Sequence, residues 1–162
     1  MTDKQKETLV AWLNDAHAME LSLVKNLEGK SNDADEAGKK DVKSRIDEHI
    51  EETRKHAELV KSCIERLGGD TSIAKDMMGK AMGYVQGAMN SMYNDTMVKN
   101  ALESYAAEHF EIAAYTSIIS AAKEIGDVET VSICSKILKE EEQMAAWAFE
   151  QIPIATIDHL SK

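Results

Sequence analysis

Apolar residues recur at helical spacing in four long stretches of the chain. In the first stretch Leu9, Leu13, Leu23 and Leu27 fall on one helical face, and the later stretches repeat Val, Ile, Leu and Ala in the same way. These patterns predict four long helices, over residues 3–28, 35–67, 95–125 and 127–151. A composition rich in Ala, Glu, Lys, Leu and Met also favours helices over strands.

Glycine, aspartate and proline mark the predicted helix ends. Gly68 and Gly126 follow the second and third helices, Asp127 can cap the fourth, and Pro153 is expected to close it. The polar stretch 29–38 is expected to hold a loop and the start of the second helix. Each helix therefore has a physical reason to begin or end where the periodicity does.

Connection lengths predict the arrangement of the helices. The first and third connections are short, so each is expected to join an antiparallel hairpin. The second connection is long and holds a shorter helical region that ends near Met92, so it can carry the chain back along a bundle. A four-helix bundle with one long crossover is the ferritin-like arrangement. We therefore expect residues 1–162 to form one all-α, ferritin-like domain, with a helical crossover between the second and third long helices.

Charge and composition narrow the class of protein. A formal net charge of −10 argues against nucleic acid or an anionic membrane as a partner. The N-terminal residues lack the apolar core of a signal peptide, so a cytoplasmic location is expected. Cys63 and Cys134 are too far apart for a CxxC metal site, and both are expected to be small buried hydrophobes.

Two glutamates stand at the centres of apolar stripes. Glu20 falls almost at the centre of the leucine stripe on the first helix. Glu141 falls near the centre of the fourth stripe, which includes Cys134, Leu138 and Ala145. Burying an unpaired carboxylate costs several kcal/mol, and we find no Lys or Arg near these positions on any stripe. Divalent metal ions would offset that cost, with carboxylate and imidazole as ligands.

The second and third helices add further candidates at less central positions. The third stripe is formed by Tyr105, Ile112, Thr116 and Ile119, and Glu108 and His109 straddle it while Glu111 lies further round. His49, Thr53 and His56 lie near the centre of the second stripe, with Glu52 at its flank. The alternatives stay open: Glu52 and Glu111 can be ordinary flank residues, and His56 and His109 can be core or boundary histidines.

Four segments carry a resemblance to a known family. DAHAMELSLVKNL, HIEETRKHAELV, AAEHFEIAAY and LKEEEQ, one on each helix, resemble the bacterial YciE/YciF family of ferritin-like domains of unknown function. The most specific pieces are H-x-E-E-T at 49–53 and E-H-x-E-I-A-x-Y at 108–115. The resemblance implies a ferritin-like fold, often dimeric, with a di-iron-type site.

The resemblance also implies a ligand set. Glu20 would be the ligand of the first helix, Glu52 and Glu141 would bridge two metals, and Glu108 with Glu111 would serve on the third helix. Two positions depart from the wider pattern: Met144 stands where the fourth helix would carry a histidine, and Lys55 stands where the second would. The imidazole must then come from His49 or His56, and we expect His49, because it lies inside the segment that matches best.

We therefore predict a metal-binding protein with two divalent ions, iron first and manganese or zinc as alternatives. Its site residues would be Glu20, His49, Glu52, His56, Glu108, Glu111 and Glu141, and it would handle oxygen or peroxide in a stress response. The alternative is a stress-associated structural or interaction protein with a degenerate site. A homodimer is expected, because Gly79, Gly83 and Gly87 form a GxxxGxxxG row in a methionine-rich stretch suited to helix packing.

Overall fold

The computed structural model describes residues 2–71 and 93–162, and these form four long helices. They are α1 (Asp3–Glu36), α2 (Lys40–Arg66), α3 (Thr96–Ile125) and α4 (Val128–Leu160). The predicted crossover region and its glycine row lie outside the described residues. No helix within the described ranges is long and apolar enough to cross a membrane.

The helices pack as two antiparallel hairpins, α1 with α2 and α3 with α4. Contacts between the hairpins set their directions: Glu20 of α1 meets Tyr115 of α3, whereas Lys30, later in α1, meets Ser104, earlier in α3. Because α1 is thus antiparallel to both α2 and α3, the end of α2 and the start of α3 lie at opposite ends of the bundle. This is the topology that the predicted crossover requires.

Several predicted helix ends are confirmed by their backbone geometry. Gly68 and Gly126 follow α2 and α3 with positive φ angles of 73° and 78°. The side chain of Asp95 accepts a hydrogen bond from the backbone N–H of Val98, and that of Asp127 accepts one from the N–H of Thr130. Local sequence signals therefore set these ends.

The predicted end of the first helix is wrong. The stretch 29–36 continues α1, which ends at Glu36, two residues before Gly38 (φ 70°), and α2 begins at Lys40 rather than at residue 35. Lys30, Ser31 and Ala34 are buried in this extension, and Ser31 donates a hydrogen bond to Asp47 at 2.5 Å. Tertiary packing here outweighs the weak helix propensity of a polar sequence.

The fourth helix also exceeds its prediction, because it passes through Pro153 and ends at Leu160. Proline removes one backbone hydrogen bond, but tertiary contacts hold the turns that follow. Asp158 pairs with Lys39 at 2.9 Å, and His159 pairs with Asp95 at 2.9 Å. These ion pairs tie the end of α4 to the starts of α2 and α3.

Candidate metal centre

Ionisable side chains from all four helices meet inside the bundle. Each of them is no more than 2% exposed: Glu20, His49, His56, Glu108, Glu111 and Glu141. We call these residues the carboxylate–histidine cluster.

The third stripe was predicted on the wrong face of α3, because Thr116 and His109 face solvent while Glu108 and Glu111 face the interior. Carboxylates at the centre of a stripe interrupt its apolar pattern, so the true centre of α3 could not be located from hydrophobicity.

Three residues, Glu20, His56 and Glu141, form the first of two triplets in the cluster. Nδ1 of His56 lies 2.8 Å from Oε1 of Glu141 and 3.8 Å from Oε2 of Glu20. One ligand atom from each residue falls within 4.8 Å of the other two. The triplet therefore has the spacing that a single ion would need.

The second triplet joins His49, Glu108 and Glu141. Nε2 of His49 lies 3.3 Å from Oε1 of Glu108 and 3.9 Å from Oε2 of Glu141. Glu141 thus belongs to both triplets, with one carboxylate oxygen directed to each. The structure places both histidines in the cluster, on different triplets, and the geometry gives no preference to His49 over His56.

Many polar atoms of the cluster have no hydrogen-bond partner among the described residues. They are Oε2 of Glu20, Nδ1 of His56, Oε2 of Glu108, Oε2 of Glu111 and both carboxylate oxygens of Glu141. Buried polar atoms without partners are costly and therefore rare in folded proteins. Their concentration at one point, with donor types that suit divalent cations, fits a metal site.

Burial and repulsion between carboxylates raise the pKa values of Glu20, Glu108 and Glu111. Burial, followed by the charge of Glu141, raises the pKa of Glu20 to about 8. Burial raises the pKa of Glu108 to about 7, although His49 acts in the opposite direction. Glu111 has its pKa raised well above the usual value by burial and by the charges of Glu141 and Glu108. Without cations, the cluster therefore holds protons that a surface carboxylate would lose.

The two histidines show the complementary effect. Burial lowers the pKa of His49, but the adjacent Glu108 and Glu52 outweigh it and raise that pKa to about 10. Burial likewise lowers the pKa of His56, whereas Glu141 and Glu20 bring it to about 9. In the metal-free protein both rings are protonated at neutral pH, so a bound metal would have to displace those protons.

Each histidine directs its second nitrogen to a carboxylate nearer the surface. Nδ1 of His49 lies 3.1 Å from Oε2 of Glu52, which also accepts a hydrogen bond from Arg45 at 3.2 Å. Nε2 of His56 lies 2.6 Å from Oε2 of Glu140, which is half-exposed. A carboxylate on the outer nitrogen fixes the ring and its tautomer. Glu52 lies outside both triplets and makes this orienting contact with His49, and its expected bridging role stays a prediction.

A buried tyrosine fixes one of the cluster carboxylates. Tyr115 of α3 is fully buried and donates a hydrogen bond to Oε1 of Glu20. This bond leaves Oε2 of Glu20 to face His56. Tyr105, by contrast, stacks edge-on against His109 with ring centroids 4.4 Å apart, away from the cluster. Of these two tyrosines, Tyr115 positions a candidate ligand.

Two residues near the cluster were missed by the sequence analysis. Lys30 is a buried cation, which the prediction overlooked because it ended the first helix before residue 30. Burial lowers the pKa of Lys30 to about 8, while Glu103 and Glu108 act against that shift. The sequence pattern predicts Glu140 on the surface of α4, and its contact with His56 depends on the packing of α2 against α4. Met144, where the wider pattern has histidine, is fully buried.

A bundle of this topology, with buried carboxylates and histidines that could bind metal, defines a ferritin-like domain. The chain matches the family described as a domain of unknown function (DUF892) over residues 4–157, and it belongs to that family. The sequence resemblance to a ferritin-like family of unknown function is thereby confirmed.

Solved structures show the same fold. A protein from Xanthomonas campestris pv. campestris is 32% identical, with a TM-score of 0.79 over 98% of this chain and 97% of its own. The bacterioferritin of Desulfovibrio desulfuricans, whose structure is described with a diiron site, is 19% identical, with a TM-score of 0.76 over 93% of this chain and 81% of its own. YcfI of Rhodopseudomonas palustris, described as a putative structural protein, is 22% identical, with a TM-score of 0.75 over 91% and 93%.

Proposed function

We propose that this protein binds two divalent metal ions in the carboxylate–histidine cluster and uses them to handle oxygen or peroxide. The observation that carries the proposal is the shared position of Glu141, which directs one oxygen to a Glu20–His56 pair and the other to a His49–Glu108 pair. A carboxylate between two such sets is placed to bridge two ions.

The charge and chemistry of the donors support the same conclusion. The cluster holds four carboxylates, from Glu20, Glu108, Glu111 and Glu141, which together balance the charge of two divalent cations. Carboxylate oxygens with imidazole nitrogens suit iron or manganese, and also zinc. The diiron site named for the bacterioferritin of the same fold makes iron the first candidate.

Bound iron or manganese ions would supply redox electrons and coordination positions open to oxygen or peroxide. The protein's own residues prepare those positions. Glu52 and Glu140 hold the imidazole rings of His49 and His56 from outside, so their inner nitrogens face the cluster. Tyr115 holds Glu20 in the same way. Preorganised ligands of this kind bind with less reorganisation.

A second candidate function has its own observation. Met144, three residues after Glu141, is buried where the wider pattern has histidine, so α4 brings no imidazole to the cluster. In this alternative the cluster is degenerate, protons take the place of metals, and the protein acts in structure or interaction. The description of the Rhodopseudomonas protein of this fold as a putative structural protein agrees with it.

Metal analysis distinguishes the two candidates. Protein purified without chelators, and then supplied with iron or manganese and desalted, is measured by inductively coupled plasma mass spectrometry. We expect two ions per chain, and clear loss in the Glu20→Gln, Glu141→Gln double variant. Glu142→Gln, an exposed change next to Glu141, is the matched control. Metal content no higher than that of the double variant would favour the structural alternative.

A further inference from the structure

Lys30 is a buried cation that the metal centre does not use. Its side chain is almost fully buried, with the residue 4% exposed, and it donates a hydrogen bond to Oγ of Ser104 at 3.0 Å. Within residues 2–71 and 93–162 no carboxylate lies within 4.0 Å of its ammonium group, although the charges of Glu103 and Glu108 act on it from a greater distance. An ammonium group has three N–H bonds, and a buried ammonium normally pairs them. The ammonium group of Lys30 can therefore donate further hydrogen bonds, beyond the one to Ser104.

A cavity lies next to the side chain of Lys30. It has a volume of about 60 Å³, and both Lys30 and Ser104 line it. One water-sized group needs about 10–15 Å³, so the cavity has room for roughly four to six groups of that size. Its remaining walls are mainly apolar and include Ile46 of α2, Ala101 of α3 and Trp147 of α4. Asn100 and Gln151 add polar groups to this lining, and a mainly apolar cavity with a few polar groups is typical of a small-molecule site.

On the side of the cavity that faces solvent, the wall is formed by an ion pair. Lys39 and Asp158 line it there, each about one-third exposed, and they form an ion pair of 2.9 Å. Exposed ion pairs of this kind are weak, so they open at low cost. A small molecule could therefore reach Lys30 by separating Lys39 from Asp158.

We propose that this cavity binds a small organic acid of about four carbon atoms. Its carboxylate would pair with the ammonium of Lys30 and the hydroxyl of Ser104, and its hydrocarbon chain would lie against Ile46 and Trp147. An inorganic anion fits less well, because the apolar part of the wall, which includes Ile46 and Trp147, would leave those of its oxygens that face it unpaired. An amine would be repelled by Lys30. The proposal does not require metal in the carboxylate–histidine cluster.

Butyrate is a suitable probe, observed by saturation-transfer difference NMR with the full chain, both as purified and after chelator treatment. We expect transfer from protein to n-butyrate in both forms and much weaker transfer to n-butyramide, which keeps the shape without the charge. Lys30→Met should weaken butyrate binding at least tenfold. Lys25→Met, an exposed lysine on the same helix, should leave it unchanged.

A cavity-filling variant keeps the test decisive if Lys30→Met does not fold. Ala101→Leu retains the ammonium but occupies the cavity, so it should also abolish transfer to butyrate. Absence of transfer to the unmodified chain in both forms would overturn the proposal. So would equal transfer to butyramide, or full transfer to the Ala101→Leu variant. Because the chelator-treated protein is included, failure of metal binding does not affect the outcome.

Discussion

Oε1 of Glu141 lies 2.8 Å from Nδ1 of His56, yet the two atoms do not have hydrogen-bond geometry. Both side chains are buried, and the other nitrogen of His56 is engaged by Glu140 at 2.6 Å. The ring is therefore held from outside while its inner nitrogen faces carboxylate oxygens that also lack partners among the described residues. In the metal-free protein the protonated ring faces this carboxylate, and a divalent cation bound here would take the place of that proton.

Removal of the shared carboxylate should have opposite effects on the metal-free and metal-loaded protein. Glu141→Gln takes away a charge that raises the pKa values of Glu20 and Glu111. We expect the metal-free variant to be more stable by about 1–3 kcal/mol, because the charge of Glu141 no longer repels the buried carboxyl groups of Glu20 and Glu111. The rise in melting temperature on adding iron or manganese should shrink, since a bridging ligand is lost.

Calorimetry of wild type, Glu141→Gln and the exposed control Glu142→Gln measures both effects. Identical melting curves for the wild type with and without metal would contradict a functional site. A destabilised metal-free Glu141→Gln would contradict the repulsion argument.

The two histidines should each govern one ion. His49 and His56 belong to different triplets, so His49→Ala and His56→Ala should each reduce bound iron from two ions per chain to about one. His109→Ala removes an exposed imidazole and should leave the iron content unchanged. Mass-spectrometric metal analysis measures the ratio. Loss confined to one of the two buried variants would restrict the site to a single triplet.

The metal-free protein should lose stability as pH rises. The folded pKa of Glu20 is about 8, against about 4.3 in an unfolded chain, so the folded state holds an extra proton between these values. His49 and His56 act in the same direction: their stabilisation is complete below the unfolded pKa of about 6.5 and is lost as pH rises from there through the folded pKa values of about 10 for His49 and about 9 for His56. Stability should therefore fall steeply from pH 5 to pH 9, by more than about 4 kcal/mol, because the shift of Glu20 alone accounts for that much.

Urea unfolding at pH 5, 7 and 9 measures this decline, and Glu20→Gln should flatten it. Bound metal should reverse the trend, because its ligands must lose protons to bind. At the acid end, Glu52 works in the opposite sense, since its contact with His49 lowers its pKa to about 2. A metal-free protein that grows more stable from pH 5 to pH 9 would refute the prediction.

A homodimer or larger assembly remains our expectation. The glycine row that prompted it lies outside the described residues, but the α1–α3 face offers a second reason. Trp12 and Phe110 are 41% and 46% exposed and line a common surface cavity. Large exposed apolar groups that adjoin one another often mark an interface. Light scattering should show a dimer that Trp12→Glu with Phe110→Glu converts to a monomer, whereas Phe149→Glu on α4 should not. A monomeric wild type at micromolar and higher concentrations would contradict this.

Periodicity and capping residues were sufficient to predict the fold, because these are local properties of a helix. The ends at Gly68 and Gly126 follow from glycine's freedom to adopt positive φ, which needs no tertiary information. The end of α1 could not be predicted in this way. Residues 29–36 are polar, and they stay helical because Lys30, Ser31 and Ala34 pack against other helices.

The sequence by itself determined that Glu20 and Glu141 face the interior, because each sits at the centre of a clear apolar stripe. Only the tertiary structure decided how the helices align along their axes, and that alignment depends on packing between residues distant in the chain. It placed Glu111 in the cluster, moved Glu52 outside both triplets and brought Glu140 to His56. A helical stripe specifies the direction of a side chain but not the height at which another helix meets it.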